Sequence, residues 1–315
     1  MSNSVVSWDG DATEFNSNAA DYGGTTYATS TSVVSWDGDA TKFNSNAANY
    51  GGAIHARLNS VLSWNGDGTE FNNNIAAVDG GAIDALDSTV SWNGDGTDFN
   101  NNAAATGFGG SNSAGIGGAI HAVESFVDWI GGETTFSFNF ARAGRAIYAS
   151  KSPVVWLGSG TKFTSNVAEL NAGAIHAYSS NMSWNGENTQ FESNVAGDDG
   201  GAIYAQISVV GGVPNSTFSN NVAGQNGGAL AWVDMEEVYD FGVMLPGATF
   251  INDSADEGGA MYLPNCQGNV LFTDLTFQNN SASTAGGAVT AYGIESLTFL
   301  RSTLSSNVAN EIGGA

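Results

Sequence analysis

The chain begins with a stretch that it repeats almost unchanged. "SWDGDATEFNSNAADYGG" occupies residues 7–24, and "SWDGDATKFNSNAANYGG" occupies residues 35–52. The two copies lie 28 residues apart and differ only where Glu14 is replaced by Lys42 and Asp21 by Asn49. Near-identity at a fixed offset indicates an internal repeat, which has to be traced before any local motif is interpreted.

The same unit continues along the whole chain, marked by an aromatic residue with Asn or Asp three positions later. The markers are Phe15, Phe43, Phe71, Phe99, Phe136, Phe163, Phe191, Phe218, Phe250 and Phe277, with Leu304 in the eleventh copy. Most neighbouring markers are 27 or 28 residues apart, and "GGA" or a close variant follows each Asn or Asp. We therefore count eleven copies with no linker between them.

Inside one copy the apolar pattern has a period of two, which is typical of strands. In "VVSW", Val34 and Trp36 share one face, and "TKFN" and "GAIHA" alternate in the same way. Three short strands separated by Gly, Asn and Asp turns in 27–28 residues predict one coil of a right-handed parallel β-helix. We predict an all-β, single-domain solenoid over residues 1–315, with loop insertions near 106–116 and 232–247.

The paired motifs resemble the repeats of chlamydial polymorphic outer membrane proteins. "GGAI" at 51–54, 80–83, 117–120 and 200–203 stands beside "FNSN", "FNNN", "FTSN", "FESN" and "FSNN". The resemblance covers the whole chain and implies a right-handed parallel β-helix with a role in surface display and adhesion. The recurring "SWDG" or "SWNG" element is an additional regularity of this chain. We expect neither a signal peptide nor a translocator within residues 1–315.

Composition excludes several classes of function. The formal net charge is −24, with 7 Lys plus Arg against 31 Asp plus Glu, which argues against nucleic acid and against an anionic membrane surface. The single cysteine, Cys266, excludes a disulfide framework and is expected to be a small buried side chain. No apolar run is long enough for a transmembrane helix.

One column of outward-facing residues is a candidate binding surface. It contains Tyr27, His55, Asp84, His121, Tyr148, His176 and Tyr204. An aromatic and imidazole stripe could bind a glycan or a protein partner, and His55, Asp84 and His121 could be considered for a metal. Cross-strand stacking in a purely structural surface ladder explains the same pattern, so the alternatives stay open.

Two charged groups complete the candidate sites. Asp11, Asp39, Asp67 and Asp95 recur in the turn after Trp, where stacked carboxylates need turn N–H groups, splayed side chains or bound Ca²⁺ to offset their repulsion. No other cofactor is expected. Arg142, Arg145, Lys151 and Lys162 are four of the seven basic residues and fall in neighbouring coils. A β-helical polysaccharide lyase would need such bases, whereas charge balance on an acidic rod explains them without a site.

We expect a structural or adhesive repeat protein of a cell surface or extracellular fibre, and a segment of a longer repeat protein. Its expected partners are further repeats or further copies of itself, end to end or side by side, and glycans. The alternative function is a carbohydrate-binding or carbohydrate-cleaving β-helix.

Overall fold

Parallel strands stack in register along the whole described chain. The structure is a computed structural model that describes residues 4–104, 115–235, 245–266 and 269–314. Every pair of hydrogen-bonded strands in it is parallel, and consecutive partners are separated by one repeat, as in Phe43 beside Phe71. The predicted parallel β-helix is therefore confirmed, and the described residues contain no helix long and apolar enough to cross a membrane.

Each coil contributes to up to four sheets, which we call A to D in chain order. Sheet A contains Val5–Trp8, Val33–Trp36, Val61–Trp64, Thr89–Trp92, Phe126–Trp129, Val154–Trp156, Met182–Trp184 and Val210–Gly212. Sheet B contains Glu14–Asn16, Lys42–Asn44, Glu70–Asn72, Asp98–Asn100, Thr135–Ser137, Lys162–Thr164, Gln190–Glu192, Thr217–Ser219, Thr249–Ile251, Thr276–Gln278 and Thr303–Ser305.

The second half of each coil forms the other two sheets. Sheet C contains Ala47–Tyr50, Ile75–Asp79, Ala103–Ala104, Phe140–Ala141, Val167–Ala168, Val195–Ala196, Val222–Ala223, Ser254–Glu257, Ser281–Ala285 and Val308–Ala309. Sheet D contains Thr26–Ala28, Ile54–Arg57, Ile83–Leu86, Ile120–Val123, Ile147–Ser150, Ile175–Tyr178, Ile203–Gln206, Leu230–Val233, Met261–Pro264 and Val289–Tyr292. A separate pair joins Asn269–Thr273 to Ser296–Leu300.

The strands of sheet C add a fourth segment to the three strands that the sequence predicts for each coil. Several of these strands have only two residues, as in Val167–Ala168, and they follow directly after the buried Asn of the corner. A segment of two residues is too short to show the apolar alternation by which strands are predicted from sequence. The predicted insertions near 106–116 and 232–247 fall largely on residues outside those that the structure describes.

Aromatic columns fill the interior between sheets A and B. The rings of Phe43 and Phe71 stack with centroids 4.6 Å apart, and those of Trp36 and Trp64 are also 4.6 Å apart. Within one coil, Trp36 meets Phe43 edge to face. The isoleucines of sheet D form a third buried column beside them, as at Ile54 and Ile83. Identical neighbours at strand spacing therefore give parallel ring stacks and a continuous apolar core.

A ladder of buried asparagines marks the corner between sheets B and C. The side-chain amide of Asn74 donates to Oδ1 of Asn102 in the next coil, at 3.0 Å, and to the backbone oxygen of Phe43 in the preceding coil, at 2.8 Å. Asn102 Oδ1 also accepts the backbone N–H of Asn74. The ladder satisfies polar groups that burial would otherwise leave unpaired.

The two glycines of the repeated Gly-Gly pair have different roles. Gly80 has a φ of +66°, in the left-handed region that glycine adopts most easily. A Cβ on Gly81 would lie 1.9 Å from the backbone oxygen of Gly118 in the next coil. The first glycine therefore makes the turn and the second permits close stacking. Ala172 takes the turn position at a φ of +62°, and Arg145 takes the stacking position.

Candidate functional site: a buried His–Asp–His column

The strand register of sheet D places all seven predicted residues in one column. Tyr27 pairs with His55, His55 with Asp84, and Asp84 with His121. The column continues through Tyr148, His176 and Tyr204. These side chains alternate with the interior isoleucines and alanines of the same strands, so they lie on the outer side of the sheet.

The expected exposed stripe is nevertheless covered over most of its length. Tyr27 is 49% exposed, whereas His55 and Asp84 are 1% exposed and His121 is 7% exposed. At His55 the segment before the Gly-Gly turn lies against this face, where the ring centroids of Tyr22 and Tyr50 are 5.3 and 6.1 Å from that of His55. The expectation of surface exposure is thus corrected for the histidine and aspartate part of the column, because the turn buries it.

Asp84 bridges the two histidines from the coil between them. His55 Nδ1 lies 2.7 Å from Asp84 Oδ2, and His121 Nδ1 lies 2.7 Å from Asp84 Oδ1. Burial opposes ionisation of Asp84, but the hydrogen bonds from His121 and His55 outweigh it and hold the pKa of this carboxyl below its usual range. Burial also opposes the charged form of His121, yet the contact with Asp84 raises its pKa.

The third histidine of the column has a contrasting environment. His176 lies between the rings of Tyr148 and Tyr204, each with a centroid 4.9 Å away, and its Nδ1 is buried without a hydrogen-bond partner. Burial lowers the pKa of His176 to about 4. One column therefore holds a charge-stabilised histidine and a neutral one, two coils apart.

Access limits what this arrangement can do chemically. The carboxylate of Asp84 is occupied by two imidazoles, and a substrate could reach neither oxygen without displacing the covering turn. Within residues 4–104, 115–235, 245–266 and 269–314, no group of three or more His, Cys, Asp or Glu side chains is placed to hold a metal ion. The geometry suits a buried polar network that fixes three neighbouring coils.

The acidic column of the A–B turn is bound by backbone donors. Oδ1 of Asp11, Asp39 and Asp67 each accepts the N–H of the next aspartate in the column, at 2.8–3.0 Å, and Asp95 accepts the N–H of Gly132. These backbone N–H groups are one of the three means that we expect to offset the repulsion between the stacked carboxylates. Calcium in this column stays a prediction, which melting in EDTA and in excess calcium tests; equal midpoints would contradict it.

The four basic residues do not form one cluster. Lys162 lies in a strand of sheet B, Lys151 follows a strand of sheet D, and Arg142 and Arg145 lie between sheets C and D. Lys151 pairs with Glu124 at 3.1 Å on the exposed surface. The four side chains thus lie at three different positions around the coil, so the expectation of a joint basic site is corrected.

Three further features were not among the sites predicted from the sequence. Asp79 is half-buried near His121, and desolvation raises the pKa of Asp79 although the charge of His121 opposes this shift. Asp253 replaces an asparagine inside the corner ladder. Phe138 and Phe140 are exposed although they are large and apolar. For Asp253 and for the two phenylalanines, the sequence signal was a departure from the consensus of the repeat.

Comparisons with known proteins agree with the repeat motif. The model of the Chlamydia polymorphic membrane protein repeat matches residues 68–85, 188–206, 215–231 and 274–292. No curated protein matches the chain. Two crystal structures of the periplasmic alginate epimerase AlgG match the chain, both at 9% identity. The match to the first, a point mutant, has a TM-score of 0.30 and covers 88% of this chain and 77% of the epimerase chain. The match to the second has a TM-score of 0.25 and covers 87% of this chain and 76% of the epimerase chain.

The four matched segments span the turn before sheet B through the strand of sheet D, which is the part of the coil that carries the Phe, the Asn and the Gly-Gly pair. The chain is a parallel β-helical protein, and four of its coils are similar to the Chlamydia polymorphic membrane protein repeat.

Proposed function

We propose that the chain is a structural and adhesive rod displayed at a cell surface or in an extracellular fibre. The observation that carries this proposal is the match of four coils to the Chlamydia polymorphic membrane protein repeat. The burial of His55, Asp84 and His121 supports it, because these chemically capable side chains contribute to the stack and are withdrawn from solvent.

Electron microscopy and labelling of intact cells test the proposal together. Antibodies against the chain are expected to label unpermeabilised cells of the organism that makes it. Labelling that appears only after permeabilisation would contradict a surface location. Microscopy of the native assembly would distinguish a filament, a surface array and a free monomer, which are the forms that the expected self-association allows.

Carbohydrate binding is the alternative, and the exposed aromatic residues of sheet D favour it over cleavage. Tyr27, Tyr178 and Tyr292 present rings to solvent, and such rings can stack on sugar faces. Incubation with pectin or alginate separates the alternatives. Unsaturated products would indicate a lyase, whereas retention on the polysaccharide without products would indicate binding.

A further inference from the structure

Two phenylalanines in the fifth coil break the repeat at the solvent. Phe138 occupies the corner position that holds Asn101 and Ser165 in the adjacent coils, and it is 60% exposed. Phe140, on the other side of buried Asn139, is 44% exposed. Exposed large apolar side chains that lie together on a soluble surface mark sites of interaction.

Phe140 lies on a longer apolar surface, which we call the sheet C stripe, and Phe138 precedes it at the corner. The strand register aligns its members in six consecutive coils, namely Ile75, Ala103, Phe140, Val167, Val195 and Val222. At one strand spacing per coil the stripe is roughly 25 Å long. Because β-branched residues dominate it, the surface is stiff and loses little side-chain entropy when it is covered.

Charge singles out the same part of the rod. Residues 1–114 contain 13 acidic and 2 basic side chains, and residues 169–315 contain 15 and 1. Residues 115–168, which run from the last turn of coil four through coil five to the sheet C strand of coil six, contain 3 acidic and 4 basic side chains. Two such rods repel along most of their length, and the repulsion is absent where these coils meet.

Arg145 holds the ring of Phe140 in place. Its guanidinium carbon lies 3.9 Å from the ring centroid, and the side chain is almost fully buried. Burial lowers the pKa of Arg145 to about 10, and nearby Glu169 opposes this effect. The contact therefore presents a fixed aromatic surface, and a preorganised surface costs less to bind than a mobile one.

We propose that coils five and six form a self-association surface, on which a second copy of the chain docks side by side. Phe138, Phe140 and Val167 of each copy face those of the other across a two-fold axis. A second copy has the same strand spacing, so the side chains of two stripes can interdigitate along their length. Such an interface uses the same surface on both copies and closes as a dimer. The inference does not depend on the cellular location of the chain.

Sedimentation velocity over a wide range of protein concentration tests the proposal. The wild-type chain is expected to form a dimer as concentration rises. The double variant Phe138→Ser, Phe140→Val, which introduces residues that the chain itself has at Ser165 and Val167, is expected to remain a monomer with an unchanged circular dichroism spectrum. The matched control Phe126→Val removes an exposed ring from sheet A of the same coil and should leave dimerisation intact.

Cross-linking locates the interface independently, because Cys266 is buried and the chain has no other cysteine. Mild oxidation is expected to link Val167→Cys chains into dimers and to leave Val61→Cys chains, modified on sheet A, as monomers. A wild-type chain that stays monomeric throughout, a dimer that survives the double variant, or equal cross-linking at both cysteines would each overturn the proposal. Binding of an acidic polysaccharide by a chain that remains monomeric would also overturn it.

Discussion

Asp253 is the one acidic member of the described asparagine ladder. Its Oδ1 accepts the backbone N–H and the side-chain amide of Asn221, at 2.8 and 2.9 Å, as an asparagine oxygen does in other coils. Its Oδ2 takes the place of an amide donor and is buried without a partner. Desolvation is the main cause that raises the pKa of Asp253 to about 8. A proton on Oδ2 would restore the missing donor.

The ladder therefore predicts that Asp253→Asn stabilises the protein, most of all at high pH. Because the pKa of Asp253 is raised on folding, the folded chain binds more protons, and its free energy of unfolding falls as pH rises from about 4 to about 8. Each pH unit in that interval costs about 1.4 kcal/mol at this one group. Urea denaturation of both proteins at pH 5 and pH 8 measures the difference.

The control for this prediction is the reverse change in another coil. Asn166→Asp should lower the free energy of unfolding, and this loss should grow as pH rises. Since the other carboxyl groups are common to wild type and variant, only the difference between the two proteins is informative. A difference that is equal at pH 5 and pH 8 would show that Asp253 is not protonated in the folded state.

The Asp84 bridge gives a second prediction at the residue scale. Asp84→Ala leaves two buried imidazoles without their acceptor, and removal of one partner from a buried charged network costs on the order of 3–5 kcal/mol. Glu192→Ala, at an exposed position in the strand Gln190–Glu192 of sheet B, should cost well under 1 kcal/mol. Chemical denaturation at pH 7 gives both values. Similar losses for the two variants would mean that the bridge adds no stability.

The Gly-Gly turn is the element that decides how closely successive coils approach. Gly81→Ala would bring a Cβ to within 1.9 Å of the oxygen of Gly118, so the stack has to open locally. We expect a loss of more than about 2 kcal/mol, as for an overpacked core position. Thermal unfolding followed by circular dichroism measures it.

Gly211 offers the matched control for this element. It lies in the strand Val210–Gly212 of sheet A, where a Cβ would meet only the oxygen of Met182, at 3.8 Å. Gly211→Ala should therefore be neutral or slightly stabilising, because alanine has less freedom than glycine in the unfolded chain. Equal destabilisation by both substitutions would contradict the assignment of close stacking to the second glycine.

The whole molecule is a one-dimensional stack, and its stability should follow the number of complete coils. Deletion of residues 37–64 removes one period of 28 residues and joins Trp36 to Asn65, whose turns are equivalent. We expect a folded, shorter rod with a lower urea midpoint. Deletion of residues 37–50 removes half a period and should prevent the neighbouring coils from stacking. A folded protein in the second case would contradict strict coil registry.

Registry is also the part of the structure that sequence predicted best. Trp36, Phe43 and Ile54 recur after one period, so their columns could be assigned by counting, and each is a buried stack in the structure. The column of His55, Asp84 and His121 was aligned by the same counting. Its burial was missed, since alternation distinguishes the two faces of a strand and does not show whether another segment covers the outer face.

The sequence by itself determined the period, the strand order and the members of each column, because one repeat length translates the chain by one coil. Only the tertiary structure decided which outward columns are covered and which basic residues are separated. Those outcomes depend on the direction of each turn, set by backbone conformations such as that of Gly80, and on distances around the coil that linear spacing does not contain. The tertiary structure likewise separates the buried His–Asp–His bridge from the exposed rings of Phe138 and Phe140.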